Sequence, residues 1–402
     1  MQTTRTIALV LLAGCGSADA RESLVTIDTL PGGIPNVTTT APVAQEGWAL
    51  RHVRDVGPAP GEPGELVDPQ DLALADDGTL YVVEQGPATL NVYDSTGRWQ
   101  RTIGRDGSGP GEFTAAFIAV RGDTLVLQDP AQSRVTVYRT STGEVLSTRP
   151  STCCFWAPIE VDARGGAWLP TMPPSDSGGT PQRAFLRVPL AGGDADTILV
   201  PQAAASGALP RWHVTGPGGR MQFSMSVPMT PRALEAVDPS GGLVTGFAAD
   251  YRLRRTTDGR DTVSLFGRPF TPVPITGATK QALVDARVAQ QLAANNGLDE
   301  AGLRRAFDAS MIPDVRPAFD WVYVDREGRV FALRTTADTT TVHLDLFDRQ
   351  GVWLAELTVP EPGWARQLYT PVALSRDHLA IATTDPDGLP VIRIYQLTSE
   401  AQ

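Results

Sequence analysis

A strand–turn–strand unit recurs six times along the chain. In each copy a short apolar run leads into a turn that contains Gly or Asp, and a second apolar run follows. The second runs begin near residues 80, 125, 167, 243, 330 and 379, so successive copies lie 45, 42, 76, 87 and 49 residues apart. Near-continuous apolar runs of this length are typical of strands that are buried on both faces. The repeat therefore predicts a series of equivalent β units, two of which carry insertions.

Outer strands complete the units and suggest how they are arranged. Each of the first five units is followed by a hairpin of two amphipathic strands, for example residues 135–138 and 145–148. The sixth unit has a single outer strand, residues 391–395, and its missing partner is the strand at residues 48–56. The sequence thus predicts an all-β fold over residues 48–398, a six-bladed β-propeller of four-stranded antiparallel blades closed by the N-terminal strand. Closure leaves no long exposed strand edge.

Composition and charge exclude two broad classes of protein. The 39 glycines and 33 prolines make up 72 of the 402 residues, too many for a helical bundle, while 42% hydrophobic residues suffice for a folded core. The formal net charge is -11, and a surface of this sign repels phosphate backbones. We therefore expect no nucleic-acid partner, and we expect a monomer.

One loop carries a resemblance to a known family. The stretch from Gly104 to Phe113, GRDGSGPGEF, resembles the loop between blades in six-bladed propellers of the NHL-like class, and it returns loosely at residues 61–66 and 216–219. The resemblance covers about residues 48–398 and implies the same fold. It leaves the function open, because such propellers include peptide-processing lyases, lactonases and binding platforms.

The N-terminus has the pattern of an export signal. Arg5 precedes the apolar run at residues 7–12, which is too short to span a bilayer. Leu12-Ala13-Gly14-Cys15 resembles the lipobox of bacterial lipoproteins, and the resemblance implies cleavage of residues 1–14 and lipidation of Cys15. An ordinary secretory signal with an incidental cysteine is the alternative. Gly16 follows the cysteine where an aspartate would resemble a signal for the inner membrane, so we expect the outer membrane, facing the periplasm or the cell surface.

Residues 15–47 then form the lipid anchor and tether. Residues 24–28 have the pattern of a short strand and residues 30–34 that of a turn, so we expect this part of the tether to lie along the propeller.

A helical pattern interrupts the repeat between residues 277 and 312. Leu283, Val284, Val288 and Leu292 fall on one stripe, and Leu303 with Phe307 on a second, shorter one. In a propeller the loops that leave the outer strands lie on the same face as the loops in the middle of the blades, and this insertion is one of them. It would serve as a lid or docking surface, or else it only covers apolar surface near the channel.

Cys153 and Cys154 are adjacent in another loop on that face. In an oxidising compartment they would form a vicinal disulfide. Buried thiols are the first alternative, and a redox or soft-metal site is the second.

Enzyme classes can be compared with the available side chains. The four histidines are scattered through the predicted fold, so a histidine-bound metal site is not expected, and no G-x-S-x-G motif marks a nucleophilic serine. None of the four asparagines lies where a lactonase-like calcium site would need it. Three carboxylates expected near the channel mouth remain, Asp71, Glu160 and Asp320. They would hold a cation or catalyse hydrolysis, or they are structural acids.

Two functions remain after this comparison. The first is a lipid-anchored, extracytoplasmic binding propeller that presents its inter-blade loops to a protein, peptide or glycan. The alternative is a hydrolase or lyase that uses a carboxylate-bound cation at the channel mouth, with calcium as one candidate. No catalytic residue and no cofactor is predicted. The candidate ligand face contains Asp71, Glu112, Trp156, Glu160, His213 and Asp320.

Overall fold

Six antiparallel blades of four strands each, one of them extended by two N-terminal strands, form a ring, which confirms the six-bladed propeller predicted from the repeat. This computed structural model describes residues 24–151, 157–172, 182–201, 209–216, 222–294, 297–338, 340–361 and 370–399. The predicted signal peptide, Cys15, Cys153, Cys154 and Trp156 lie outside these ranges.

Three strands precede the first blade, and the blades then follow in chain order. The N-terminal strands are β1 (Val25–Leu30), β2 (Ile34–Thr39) and β3 (Trp48–Val56), with a 3-10 helix at Gln45–Gly47. Blade 1 contains β4 (Pro69–Leu74), β5 (Leu80–Glu84), β6 (Thr89–Tyr93) and β7 (Trp99–Ile103), and the short strands β8 (Arg105–Asp106) and β9 (Glu112–Phe113) follow it. Blade 2 contains β10 (Phe117–Arg121), β11 (Thr124–Asp129), β12 (Arg134–Arg139) and β13 (Val145–Pro150).

Insertions separate the later blades. Blade 3 contains β14 (Glu160–Val161), β15 (Gly166–Thr171), β16 (Ala184–Pro189) and β17 (Asp196–Leu199), and the hairpin of β18 (Arg211–Thr215) and β19 (Gln222–Ser226) follows it. Blade 4 contains β20 (Ala233–Asp238), β21 (Gly242–Phe247), β22 (Arg252–Thr256) and β23 (Thr262–Gly267). Helices α1 (Gly277–Ala293) and α2 (Glu300–Ala306) and a 3-10 helix at Ala309–Met311 come next. Blade 5 contains β24 (Phe319–Val324), β25 (Val330–Arg334), β26 (Val342–Phe347) and β27 (Trp353–Val359), and blade 6 contains β28 (Val372–Leu374), β29 (His378–Thr384) and β30 (Pro390–Ser399).

Apolar side chains fill all six gaps between neighbouring blades. Successive residues of a strand point to opposite faces of its sheet. In β5, Val83 belongs to the cluster between blades 1 and 2, and Val82 belongs to the cluster between blades 1 and 6. Both are fully buried. Burial on both faces is the reason why the inner strands are almost continuously apolar rather than alternating.

The ring is closed by strands from the two ends of the chain. Strand β3 pairs antiparallel with β30 as the outermost strand of blade 6, with Trp48 opposite Ser399 and Val56 opposite Ile392. These are the residues predicted to close the ring. Backbone hydrogen bonds therefore join the first blade-forming strand of the chain to the last.

The residues before β3 follow the outer rim of the ring. Strands β1 and β2 form a hairpin, and β2 pairs in parallel with β23, so blade 4 has six strands. The amides of Val43 and Ala44 then donate to the carbonyls of Trp353 and Leu354 on blade 5, at 3.1 and 2.9 Å. The predicted strand and turn of the tether are therefore present, and they lie against blades 4 and 5.

Arg268 connects blades 4 and 5. Its guanidinium carbon lies 4.4 Å from the ring centroids of both Tyr251 and Trp353, and its Nε donates to Asp345 Oδ2 at 2.8 Å. The Tyr251 hydroxyl also donates to Asp345. Because Asp345 is completely buried, desolvation raises the pKa of its carboxyl, while the nearby Arg268 charge opposes that rise. The cluster places an ion pair in the apolar gap between two blades.

The two larger insertions pack together on the face where the chain passes from one blade to the next. Trp212 of β18 is fully buried, stacks on Phe307 with ring centroids 4.8 Å apart, and donates from Nε1 to the Asp308 carbonyl at 3.0 Å. Thr276 begins α1 by accepting the Thr279 amide on its Oγ1 at 3.1 Å. We call the hairpin β18–β19 together with residues 275–294 and 297–312 the insertion module.

The predicted helices are present, with one difference in their packing. Val284 and Val288 are buried against the hairpin, as the stripe indicated, whereas Leu292 in the last turn of α1 is 38% exposed. Within the part of the chain that is described, no helix is long and apolar enough to cross a membrane.

Candidate functional site

A cavity of about 550 Å³ occupies the centre of the ring. The inner strands of all six blades line it, namely β4, β10, β14, β20, β24 and β28, and Ser226 and Arg287 of the insertion module lie at its mouth. The volume lies in the range usual for small-molecule sites. We call this cavity the channel.

Arg326 crosses the channel at the end away from the insertion module. It follows the inner strand of blade 5, and its Nη2 donates to the carbonyls of Leu74 and Val120, both at 2.8 Å. These carbonyls lie at the ends of the inner strands of blades 1 and 2, on the opposite side of the ring. An ion pair between Nη1 and Asp76 Oδ2 at 2.8 Å holds the guanidinium in place. A single side chain thus obstructs the far end of the channel.

Glu160 projects into the channel toward Arg326. Its side chain is exposed to the channel space, although protein surrounds it on all sides. This burial raises the pKa of Glu160 to about 7; the charge of Asp71 adds to the rise, and Arg326 and Arg121 oppose it. Among the described residues its carboxylate has no hydrogen-bond partner. Glu160 therefore changes its charge near neutral pH.

Asp71, in the middle of β4, and Arg121, at the end of β10, are further charged groups near Glu160. The Asp71 carboxylate accepts the amide of Ile118 at 2.8 Å, which joins the inner strands of blades 1 and 2. Arg121 donates to the carbonyl of Val161 at 3.4 Å. Burial and the neighbouring Arg326 charge lower the pKa of Arg121. Asp71 therefore has a structural role, whatever else it contacts.

Arg232 dominates the mouth of the channel. Its guanidinium carbon lies 5.0 Å from the centre of the Trp321 ring, and Nη2 donates to the backbone carbonyl of Asp320 at 2.9 Å. Burial lowers the pKa of Arg232, and burial also raises the pKa of the Asp320 carboxyl. The Trp321 ring and the Asp320 carbonyl hold the guanidinium in position, and no ion pair of Arg232 is present in the described part of the chain.

Glu235 and Arg183 form an ion pair beside Arg232. The Glu235 side chain is only 4% exposed, and burial raises its pKa. Its second oxygen, Oε2, is buried and accepts no hydrogen bond from any described residue. A buried carboxylate oxygen of this kind is a ready acceptor for a ligand donor.

The rest of the wall is mostly apolar. Between its charged ends the channel is lined by Ala73, Ala119, Ala236, Val322 and Ala373, and the mouth includes Met172 and Met229. The channel therefore combines an apolar middle with a few polar groups at each end, which suits an amphipathic organic molecule.

The candidate residues from the sequence separate into two groups. Asp71, Glu160 and Asp320 all line the channel; Asp320 lies beside Arg232 at the mouth, whereas Asp71 and Glu160 lie near each other, with Glu160 directed toward Arg326. Glu112 and His213 do not line it. Glu112 accepts Arg105 Nε and the Gly109 amide, both at 2.7 Å, within its own loop, and His213 is exposed on β18, where its Nδ1 lies 2.8 Å from Ser224 Oγ.

The described residues contain no group of three or more His, Cys, Asp or Glu side chains placed to hold a metal ion. The histidines bond separately, for example His52 to Asp55 at 2.6 Å and His378 to Asp377 at 2.8 Å.

Five arginines of the channel were not predicted from the sequence: Arg121, Arg183, Arg232, Arg287 and Arg326. Single arginines have no distinctive pattern in a chain whose basic residues are almost all arginine. One available signal is position, because Arg232 directly precedes an inner strand and Arg121 ends one. Residues at the ends of inner strands face the two openings of a propeller channel.

Comparison with solved structures gives distant resemblances. A candidate exported protein from Bacteroides fragilis has 12% identity and a TM-score of 0.49, over 90% of this chain and 99% of that one. A calcium-binding protein, regucalcin, from Agrobacterium tumefaciens has 13% identity and a TM-score of 0.37, over 88% of this chain and 97% of that one.

Comparison at the sequence level gives one match. No curated protein matches the chain. A family model described as a 6-bladed beta-propeller matches residues 64–169, from just before blade 1 to the second strand of blade 3. This match agrees with the six-bladed architecture.

Proposed function

We propose that this protein is an extracytoplasmic binding propeller that holds a small organic ligand in its channel. The observation that carries the proposal is the channel itself, about 550 Å³ in volume, lined by all six blades and crossed by Arg326 at its far end. A ligand would enter from the mouth under the insertion module and lie along the apolar walls. Apolar walls with a few fixed polar groups are the usual composition of a small-molecule site.

A neutral fluorescent probe tests whether the channel binds ligands. N-phenylnaphthylamine becomes fluorescent in apolar surroundings, and its small aromatic body suits the channel. We expect saturable binding to the purified protein. Ala236 lines the channel. The Ala236→Phe variant should bind the probe at least about tenfold more weakly, because the phenyl ring occupies the volume that the ligand needs.

Two further variants make this test decisive. Ser226→Trp places a ring at the exposed mouth, outside the packed core, and should have the same effect even if Ala236→Phe unfolds. Ala131→Phe adds the same bulk at an exposed residue that does not line the channel and should bind like the unmodified protein. Unchanged binding in folded Ala236→Phe and Ser226→Trp would show that the probe sits elsewhere, and the proposal would fail.

We also propose a lipid anchor at Cys15 and a location at the outer membrane. The support is the sequence of the first fifteen residues, with Arg5, the apolar run at residues 7–12 and the small residues before Cys15. Acyl chains at the N-terminus would hold the propeller on the membrane. We further propose that the propeller is related to the NHL-like class, and the loop at residues 104–113 supports this relationship.

The anchor can be tested in growing bacterial cells. Cells fed an alkyne-labelled palmitate should incorporate the label into the wild-type protein. The labelled protein should then be found in the membrane fraction. The Cys15→Ser variant should lose both the label and the membrane association, while Cys153→Ser serves as the matched cysteine control and should keep them. A labelled Cys15→Ser protein, or an unlabelled wild type, would exclude lipidation at Cys15.

A further inference from the structure

The arginines at the channel mouth exceed the carboxylates that could neutralise them. Arg183 pairs with Glu235, but neither Arg232 nor Arg287 has a carboxylate within ion-pair distance in the described part of the chain. Arg232 donates to a backbone carbonyl, and Arg287 of α1 donates to Gln290 Oε1 at 2.8 Å. All three arginines line the channel. We call Arg183, Arg232 and Arg287 the arginine mouth.

From this geometry we infer that the arginine mouth binds the anionic group of an organic ligand, a carboxylate, sulfonate or phosphate, whose apolar body extends into the channel. The inference rests on the proposed function and specifies its ligand class. Guanidinium groups suit such anions because their N–H donors match the spacing of two anion oxygens.

Arg232 is the best placed of the three. The Trp321 ring and the Asp320 carbonyl already hold its guanidinium, with the ring centre 5.0 Å away, so little side-chain freedom is lost when a ligand binds. Among the described residues, the Arg232 guanidinium makes one hydrogen bond, from Nη2 to the Asp320 carbonyl, so other N–H donors of the guanidinium remain for a ligand. Its side chain is exposed to the mouth rather than packed away.

Charge at the mouth favours an anion over a cation. The arginine mouth contributes three positive charges. Two carboxylates lie beside it: Glu235, whose charge Arg183 neutralises, and Asp320. The protein as a whole has a net charge of -11, so the excess of positive charge at the mouth is opposite in sign to the charge of the whole protein. A local concentration of the minority charge in a cleft attracts ligands of the opposite sign.

The ligand body can also be described. It must fit a channel of about 550 Å³ with alanine and valine walls. Next to the arginine mouth, the buried Oε2 of Glu235 lacks a donor among the described residues. A hydroxyl or amide N–H near the anionic group would satisfy it, so we infer an amphipathic anion with one hydrogen-bond donor near its charge.

Two dyes that differ by one charged group test the inference. Anilinonaphthalene sulfonate has the aromatic body and N–H of N-phenylnaphthylamine, with a sulfonate added. We expect the wild-type protein to bind the sulfonate dye at least about tenfold more tightly than the neutral one. In Arg232→Gln the sulfonate dye should lose about tenfold in affinity, the loss of one charge-assisted hydrogen bond, while the neutral dye changes less than about twofold.

Further variants separate charge from shape. Arg232→Lys keeps the charge and should retain most of the affinity for the sulfonate dye. Arg98→Gln removes an exposed arginine on an outer turn of blade 1 and should change neither dye.

The outcomes distinguish the inference from the proposed function. Equal affinity for both dyes in the wild type, or equal losses for both in Arg232→Gln, would overturn the inference and leave the binding channel in place. Failure of Ala236→Phe and Ser226→Trp to reduce the binding of either dye would overturn the proposed function instead.

Discussion

The effect of a charged residue on the stability of this propeller depends on the groups that surround it. Arg268 and Asp345 are buried together as an ion pair, and the Arg268 guanidinium lies against two aromatic rings. Glu160 has no such partner and faces the channel beside Asp71, Arg121 and Arg326. We therefore expect the first pair to stabilise the fold and the second group to make stability depend on pH.

The Glu160 carboxyl should make the folded protein less stable as the pH rises. Its pKa rises from 4.5 to about 7 in the folded protein, so the folded state binds the proton more tightly than the unfolded chain. The stabilisation is complete below the unfolded pKa and is lost as pH rises through about 7. Glu160→Gln should remove this dependence and be more stable at pH 8 by on the order of 1 kcal/mol, a value reduced because water reaches the carboxyl from the channel.

Urea unfolding at pH 5 and pH 8 measures this effect. The exposed Glu46 provides the control variant Glu46→Gln, which should retain the pH dependence of the wild type. Parallel pH profiles for the wild type and Glu160→Gln would contradict the prediction.

Arg268→Ala should destabilise the protein by about 3 kcal/mol, because it leaves the Asp345 carboxylate buried without its cation. Chemical denaturation provides the measurement. Arg268→Ala combined with Asp345→Asn should recover part of the loss, since the remaining amide carries no charge. A loss below about 1 kcal/mol for Arg268→Ala would mean that the ion pair contributes little to the contact between blades 4 and 5.

At the level of elements, the insertion module is the part least integrated into the blades. Its apolar cluster contains residues of the hairpin and helices, and the six inter-blade clusters are separate from it. The module should therefore open locally while the blades remain folded.

Phe307→Ala should loosen the module selectively. It removes the ring that stacks on Trp212, a large-to-small change in a buried cluster that typically costs about 3 kcal/mol. Hydrogen exchange should become faster in α1, α2 and β18, with little change in the blades. Ligand affinity should fall because Ser226 and Arg287 of the module line the mouth. Leu292→Ala, at a 38% exposed position of α1 in the same module, is the control. Uniformly faster exchange across all six blades would contradict local opening.

The elements also show what could be predicted from the sequence. The blade strands and β3 were predictable because burial on both faces produces apolar runs. The helices were predictable because their apolar residues recur every three to four positions. The hairpin β18–β19 was missed, since its strands alternate in exposure and pack on helices instead of on a blade. The channel role of Arg326 was not predictable, because only the closed ring brings the end of blade 5 opposite blades 1 and 2.

At the scale of the whole molecule, stability depends on the pairing of β3 with β30. Without β3, the outer edge of blade 6 would be exposed, and an exposed edge favours aggregation. We expect a chain that begins at Pro58 to aggregate or to lose its cooperative thermal transition. A chain that begins at Ala41 lacks β1 and β2 but keeps β3, and it should fold as a monomer with a lower midpoint.

Size-exclusion chromatography and calorimetry distinguish the two chains. If the chain from Pro58 is monomeric and melts like the chain from Ala41, ring closure by β3 is not required for folding.

The direction of β1 sets how the molecule would stand on a membrane. Its first residue, Val25, pairs with Thr39 at the end of β2, which runs parallel to β23 toward the face that carries the insertion module. With an anchor at Cys15, the nine residues from Gly16 to Leu24 span at most about 30 Å. The rim of blade 4 beside the mouth would then stay within that distance of the lipid surface. An amphipathic anion leaving the bilayer would have only a short distance to travel before it met the arginines.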